Sequence, residues 1–331
     1  MEAPILQLDS LSAEYVTPDG TVRAVNEVSL SVQEGQTVAL MGESGSGKTS
    51  VGLCVIDLLP HPGRITAGRV MYRGTDLLDY STEQMRRVRG REIAMVFQDP
   101  STGLNPVLSV GQQVEEAITT HLDVSRREAR TRSLEVLAGM GLPEPEDVVK
   151  RYPFQLSGGM AQRVMIAIAT ALEPRILILD EPTSALDVTV QAAILEDLKR
   201  LQRRQGTSLL LITHDLGVVA QMADKVAVMY AGSIAERASS ITLFERPRHP
   251  YTWSLLGSRP RWDRDGDTRL TVIRGTPPNL VDLPDRCAFL PRCPKATSTC
   301  RTEPSPPLEE VEPAHYAACY NPIYQDDGPG D

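Results

Sequence analysis

The residues that most constrain this chain are Gly42-Glu43-Ser44-Gly45-Ser46-Gly47-Lys48-Thr49. They fit the pattern G-x-x-x-x-G-K-[ST], a loop that holds phosphate between a strand and a helix. An apolar run, Thr37 to Met41, precedes it and reads as a buried strand. A helix-like stretch, Thr49 to Leu59, follows. Glycines at Gly42, Gly45 and Gly47 let backbone N–H groups turn inward around an anion, and a helix N-terminus adds partial positive charge. Ser44, Ser46 and Ser50 belong to the same phosphate-facing stretch. Lys48 supplies a cation for the β- and γ-phosphates, and Thr49 offers a hydroxyl to Mg²⁺. A glycine-rich turn that binds nothing is the plain alternative. The matching Asp180, at the end of another apolar run, argues against it.

Around this loop the pattern alternates strand and helix. Val28, Leu30 and Val32 alternate with polar residues, as in a half-buried strand. Ile93 to Phe97, Ile176 to Leu179 and Leu209 to Ile212 are continuous apolar runs, which fit strands covered on both faces. Val188 to Arg204 reads as a helix. The fold class is α/β with a largely parallel central sheet. From about Pro100 to Lys150 the chain is polar and helix-rich, with apolar spacing at Leu134, Leu137 and Leu142. Of the 25 prolines, 14 lie after Arg246, which predicts sparse regular structure there. A boundary is expected near Ser240, with residues 1–240 forming the nucleotide-binding domain and 241–331 an extension. No internal repeat is present, so there is one nucleotide-binding unit.

The net charge of −9, with no long basic run, disfavours nucleic acid as the main ligand. No apolar stretch reaches the roughly 18 residues that cross a bilayer. Met1-Glu2-Ala3-Pro4 lacks a basic start. The expectation is a cytosolic protein whose membrane role comes through partners. Five cysteines in that compartment argue against a disulfide framework. Cys54, on the apolar helix, reads as a buried small side chain.

Further motifs follow in order: Leu156-Ser157-Gly158-Gly159-Met160, Ile176-Leu177-Ile178-Leu179-Asp180-Glu181, Ser184-Ala185-Leu186-Asp187 and His214. With the phosphate loop they resemble the ATP-binding subunits of ABC transporters. Arg246-Pro247-Arg248-His249-Pro250-Tyr251-Thr252 and the cysteines beyond Asp285 extend the resemblance to the oligopeptide/dipeptide importer group, over essentially the whole chain. The resemblance implies a P-loop ABC ATPase core with an antiparallel β subdomain and an inserted helical subdomain at about 100–170. A small Pro/Cys-rich C-terminal extension follows. It implies that Tyr15 stacks on adenine, that Gln98 reaches Mg²⁺ and the attacking water, and that Asp180 holds the metal. It further implies that Glu181 activates the water and His214 touches the γ-phosphate. Ser157, Gly158 and Gly159 would cap ATP bound by a second, homologous ATPase subunit, with a heterodimer expected. The family has Gln where this chain has Met160. Two transmembrane permease subunits, and indirectly an extracytoplasmic solute-binding protein, complete the expected assembly at the cytoplasmic face of the membrane. Peptides are the implied cargo, with nickel, glutathione or another small solute as alternatives.

Cys287, Cys293, Cys300 and Cys319 are spaced C-x5-C-x6-C-x18-C. Zinc ribbons prefer C-x2-C pairs, which are absent here. The spacing alone leaves a cluster, zinc and free thiols open. In part of the resembled group this pattern ligates a [4Fe–4S] cluster, so the four cysteines are expected to do so here. Two other classes share the ATPase motifs. Chromosome-maintenance ATPases insert a long coiled coil for which Gln98 and Ser157 stand too close. Ribosome-associated ABC factors carry two such domains and basic linkers.

Overall fold

The structure, a computed structural model, describes residues 3–258 and 273–324. In chain order its strands are β1 (Leu6–Thr17), β2 (Gly20–Val32), β3 (Thr37–Met41), β4 (Gly63–Tyr72), β5 (Thr75–Asp76), β6 (Ile93–Val96), β7 (Ile176–Asp180), β8 (Ser208–Thr213), β9 (Lys225–Tyr230), β10 (Ser233–Ser239), β11 (Glu309–Glu312) and β12 (His315–Ala317). Its helices are α1 (Lys48–Val55), α2 (Thr82–Val88), α3 (Pro100–Gly103), α4 (Val110–His121), α5 (Arg126–Gly139), α6 (Pro145–Val148), α7 (Gly158–Thr170), α8 (Val188–Gln205), α9 (Leu216–Met222), α10 (Ser240–Glu245), α11 (Pro250–Gly257) and α12 (Ser298–Thr302).

The apolar runs become the centre of an eight-stranded sheet, ordered β11-β12-β10-β9-β3-β8-β7-β6. The five strands from β9 to β6 are parallel, and the other three join antiparallel. Alternation of side chains divides each central strand between two cores. Val38, Leu40, Ile176, Ile178, Leu210 and Ile212 face α1 and the antiparallel layer. Ala39, Met41, Leu177, Leu179, Leu209 and Leu211 face the helical layer. Each fully buried Leu or Ile contributes about 1.5–3 kcal/mol, so a run with no polar position is accounted for on both faces. The antiparallel layer is a second sheet of order β2-β1-β4-β5.

Between β6 and β7 the chain leaves the sheet for α3 to α7. Ser109 and Ser125 start α4 and α5 with capping boxes, closed by Gln112 and Glu128. Val110, Val114 and Ile118 of α4 turn inward at helical spacing, and Leu137 and Leu142 join the same core. The helix expected from Thr49 to Leu59 is shorter than its pattern. It stops at Val55, and Asp57 adopts a left-handed backbone ahead of Pro60 and Pro62.

The proline-rich end holds more structure than its composition predicts. α11 has Pro250 in its first turn, where a missing N–H costs nothing. The hairpin β11–β12 continues the central sheet through Glu236↔Ala317 and Arg237↔Tyr316. Glu236 is fully buried and accepts from the Arg248 and His249 amides at 2.6 and 2.9 Å, and faces His315 Nε2 at 2.7 Å. Arg248 in turn pairs with Glu312. The Arg248-His249-Pro250-Tyr251 segment is therefore a dock for the hairpin. A buried carboxylate is tolerable here because its lone pairs are filled. Phe289 and Tyr251 pack against Tyr230 of β9, so this segment shares the main core instead of needing its own.

Candidate functional site

The site lies at the C-terminal ends of the parallel strands, where α/β sheets open a crevice. β3 ends at Met41 and the loop runs directly into α1. Gly47 has φ 101°, and a Cβ there would strike the Ala24 carbonyl oxygen, so only glycine lets the loop close over the helix start. Lys48 Nζ donates to the carbonyls of Gly42 and Glu43 at 2.8 and 2.9 Å and lies 3.5 Å from Ser46 Oγ. Burial draws its pKa below the ordinary lysine value, while Glu181, Asp180 and Glu43 act in the opposite sense. Thr49 Oγ1 donates to Asp180 Oδ1 at 3.2 Å, which puts two of the three expected Mg²⁺ residues in contact. Asp180 is buried, and burial raises its carboxyl above the usual range.

Glu181 follows β7 with φ 48°, a left-handed backbone rare for a residue with a Cβ. Its amide donates to the Ile212 carbonyl at 2.8 Å. Thr213 Oγ1 donates to one carboxylate oxygen at 3.2 Å, and His214 Nδ1 sits 2.7 Å from the other. The end of β8 thus engages both carboxylate oxygens of the acid that follows β7. Gln98 follows β6 and is exposed. Tyr15, on β1, has its hydroxyl 3.4 Å from Ser50 Oγ. Tyr15, Gly42, Ser44, Gly45, Gly47, Lys48, Thr49, Ser50, Gln98, Asp180, Glu181 and His214 line one cavity.

Ser157, Gly158 and Gly159 do not line that cavity. Ser157 caps α7 by accepting the Met160 amide at 3.3 Å, and Gly158 follows in the exposed first turn. At Gly159 a Cβ would stand 2.6 Å from Val190 Cγ1, so the helix start is held close to α8. Asp187 caps α8 and accepts from the Thr189 and Val190 amides. Phe97, Val107 and Phe154 are exposed apolar side chains near Gln98 and the α7 start in sequence, and Val188 follows the 184–187 loop at 83% exposure.

Besides Val22 and Ala24, four residues beyond Arg246 reach the cavity or its loop without being sequence candidates. Leu255 and Leu280 line the cavity from beyond Arg246. The Tyr251 hydroxyl accepts the Glu43 amide at 2.9 Å, and Arg292 pairs with the Glu43 carboxylate. Tyr251 belongs to the 246–252 segment, but nothing in the sequence pairs it with residue 43.

Cys287, Cys293, Cys300 and Cys319 line one small cavity together with His249 and Phe289. Burial raises the thiols of Cys287 and Cys293, and that of Cys319 to about 12, and neighbouring cysteines add to each rise. Among the described residues no group of three or more His, Cys, Asp or Glu side chains is disposed to hold a metal ion. The expected ligand set is therefore gathered on one cavity but is not drawn up around a single ion. Cys54 is buried, as expected, and burial raises its thiol to about 12.

A phosphate loop, a strand-end acid pair and a serine-capped helix start outside the cavity they line define a nucleotide-hydrolysing cassette. A family model described as "ABC transporter" matches residues 25–184, and one described as "Oligopeptide/dipeptide transporter, C-terminal region" matches residues 235–300. The chain is 48% identical over 297 residues to the dipeptide transport ATP-binding protein DppD of Bacillus subtilis, covering 89% of this chain and 88% of that one. It is 44% identical over 319 residues to the oligopeptide transport ATP-binding protein OppD of Escherichia coli, covering 96% and 94%. Among solved structures it is similar to the dimeric post-hydrolysis state of the ATP-binding cassette MJ0796 with ADP and Pi. That match has TM-score 0.64 and 30% identity, over 71% of this chain and 98% of that one. The chain belongs to the ABC transporter ATP-binding proteins of the oligopeptide/dipeptide family.

Proposed function

We propose that this protein hydrolyses ATP to drive uptake of peptides through a membrane complex. The observation that carries this reading is the single cavity joining Lys48, Thr49, Asp180, Glu181, Gln98 and His214 beneath Tyr15. ATP would lie with its base at Tyr15 and its phosphates in the loop from Gly42 to Ser50. Mg²⁺, held by Thr49, Asp180 and Gln98, would neutralise charge on the β- and γ-oxygens. Glu181 would orient and deprotonate the attacking water, with Thr213 and His214 fixing its carboxylate. Catalysis is then positioning plus charge stabilisation.

Ser157, Gly158 and Gly159 serve the ATP of a second, homologous subunit in this reading, because they do not line the chain's own cavity. The dimeric MJ0796 cassette supports a paired arrangement. We assign residues 1–240 to the nucleotide-binding domain, with 100–170 as its helical subdomain, and 241–331 to the extension. Among the described residues no helix is long and apolar enough to cross a membrane. Attachment would run through two permease subunits, and exposed Phe97, Val107 and Phe154 suit such docking. The tail cysteines would hold a [4Fe–4S] cluster. Four thiols on one cavity suit that ligand set, and a cluster is a larger body than one ion.

The test is Glu181→Gln in the assembled transporter. ATP should still bind, and steady-state hydrolysis and peptide uptake should fall by about 100-fold or more. Near-native turnover would defeat the assignment. Uptake of nickel or glutathione, with peptides ignored, would redirect the cargo and leave the ATPase reading in place.

A further inference from the structure

A carboxylate at the mouth of a phosphate site opposes its own ligand. Glu43 is the second residue of the phosphate loop and lines the nucleotide cavity. Left ionised and unpaired, it would repel the triphosphate. Lys48 feels that charge but does not pair with it, since its Nζ bonds the Glu43 carbonyl and not the carboxylate. The answering cation comes from 249 residues further along the chain. Arg292 donates from Nη1 to Glu43 Oε2 at 2.7 Å and from Nη2 to Oε1 at 3.0 Å, a two-pronged pairing.

The guanidinium is itself tightly held. Its Nη1 also donates to the Tyr230 hydroxyl at 3.1 Å, and its Nε donates to the Arg274 carbonyl at 3.0 Å. The Tyr230 and Phe289 rings lie 5.8 and 5.9 Å from it, and its side chain is only 6% exposed. The same loop residue is gripped a second time, through its amide, by buried Tyr251. Arg292 closes a short turn, Leu290–Arg292, set between two of the tail cysteines. The Leu290 amide donates to the Cys287 carbonyl, and the Cys293 amide donates to the Leu290 carbonyl. Whatever orders those cysteines therefore also orders the arginine.

We propose that Arg292 is a positioning residue of the nucleotide site: by neutralising Glu43 it keeps the phosphate loop receptive to ATP, so the cysteine-bearing turn sets nucleotide affinity. This rests on reading the cavity as the ATP site. The two can be separated, because Lys48→Ala tests that reading alone: a Lys48→Ala chain that still bound nucleotide normally would remove the cavity assignment.

The experiment is a charge cycle on the full chain. It is read by titration with a fluorescent ATP analogue, and by KM and kcat for ATP in the assembled complex. Arg292→Gln should raise Kd and KM about tenfold or more, with a much smaller change in kcat, since it touches neither Glu181 nor His214. Added salt should narrow that gap by screening the exposed carboxylate. Glu43→Gln should bind ATP at least as tightly as the native chain, because it removes the repulsion and leaves the arginine. The double variant Glu43→Gln/Arg292→Gln should recover most of the lost affinity. Arg292→Lys should fall between, keeping the charge but not the fork. A Glu43→Gln chain as impaired as Arg292→Gln, with no recovery in the double variant, would overturn the proposal and leave the pair as a mere tail anchor. Should Arg292→Gln fail to fold, Arg292→Lys with and without Glu43→Gln carries the same comparison.

Discussion

Two acids sit side by side at the end of β7, and each is costly in its own way. Asp180 is buried with its carboxyl raised, and Glu181 is among the causes of that rise. Glu181 also holds a left-handed backbone, which costs on the order of 1–3 kcal/mol. In the proposed mechanism the first serves a metal and the second a water. Glu181→Gln should therefore stabilise the empty protein while disabling it, because it removes one of two neighbouring negative charges. A rise in melting temperature of about 2 °C or more by differential scanning fluorimetry, without nucleotide, is expected. A fall would mean that the Thr213 and His214 contacts to this carboxylate, with its attraction for Lys48, outweigh the repulsion.

At the scale of elements, α7 separates local stability from shared function. Ser157 caps the helix, so Ser157→Ala should cost about 1 kcal/mol of stability in the isolated chain. It should leave that chain's own ATP affinity intact, since Ser157 does not line its cavity. In the assembled complex the same change should lower hydrolysis far more than 1 kcal/mol explains, if the helix start serves another subunit's phosphates as proposed. Equal losses in the isolated and assembled forms would contradict the two-subunit site. The central strands and the loop were readable from sequence because their signals are local. A run such as Ile176–Asp180 has one period and one place to go, and Gly47 has a backbone that demands glycine. The hairpin β11–β12 was not readable. Its pairing partner, β10, lies about eighty positions back, and Glu309-Glu310-Val311-Glu312 carries no strand pattern of its own. Arg292 was missed for the same reason: its partner is fixed only by the fold.

The molecule as a whole ties its two ends of function together. The cysteine cavity, the Arg292 turn and the phosphate loop form one continuous chain of contacts. Protein purified without oxygen should be brown and carry roughly four irons per chain, the content of the proposed cluster. Cys293→Ser should remove the iron. Colourless protein with one zinc, or none, would refute the cluster and leave the ATPase reading standing. The hairpin has a consequence beyond the site. Until it docks, β10 is an open sheet edge whose free N–H and C=O groups invite another chain. It is replaced by β11, whose acidic Glu309, Glu310 and Glu312 make a poor template for strand addition. The strand that pairs with β10 is β12, and Ser239 and Ala317 are 78 residues apart, which takes about 4–16 s to synthesise at ordinary translation rates. For that interval a nascent chain with a complete phosphate loop still carries a sticky flank. Cells must shelter it, or release it quickly, before the last strand arrives.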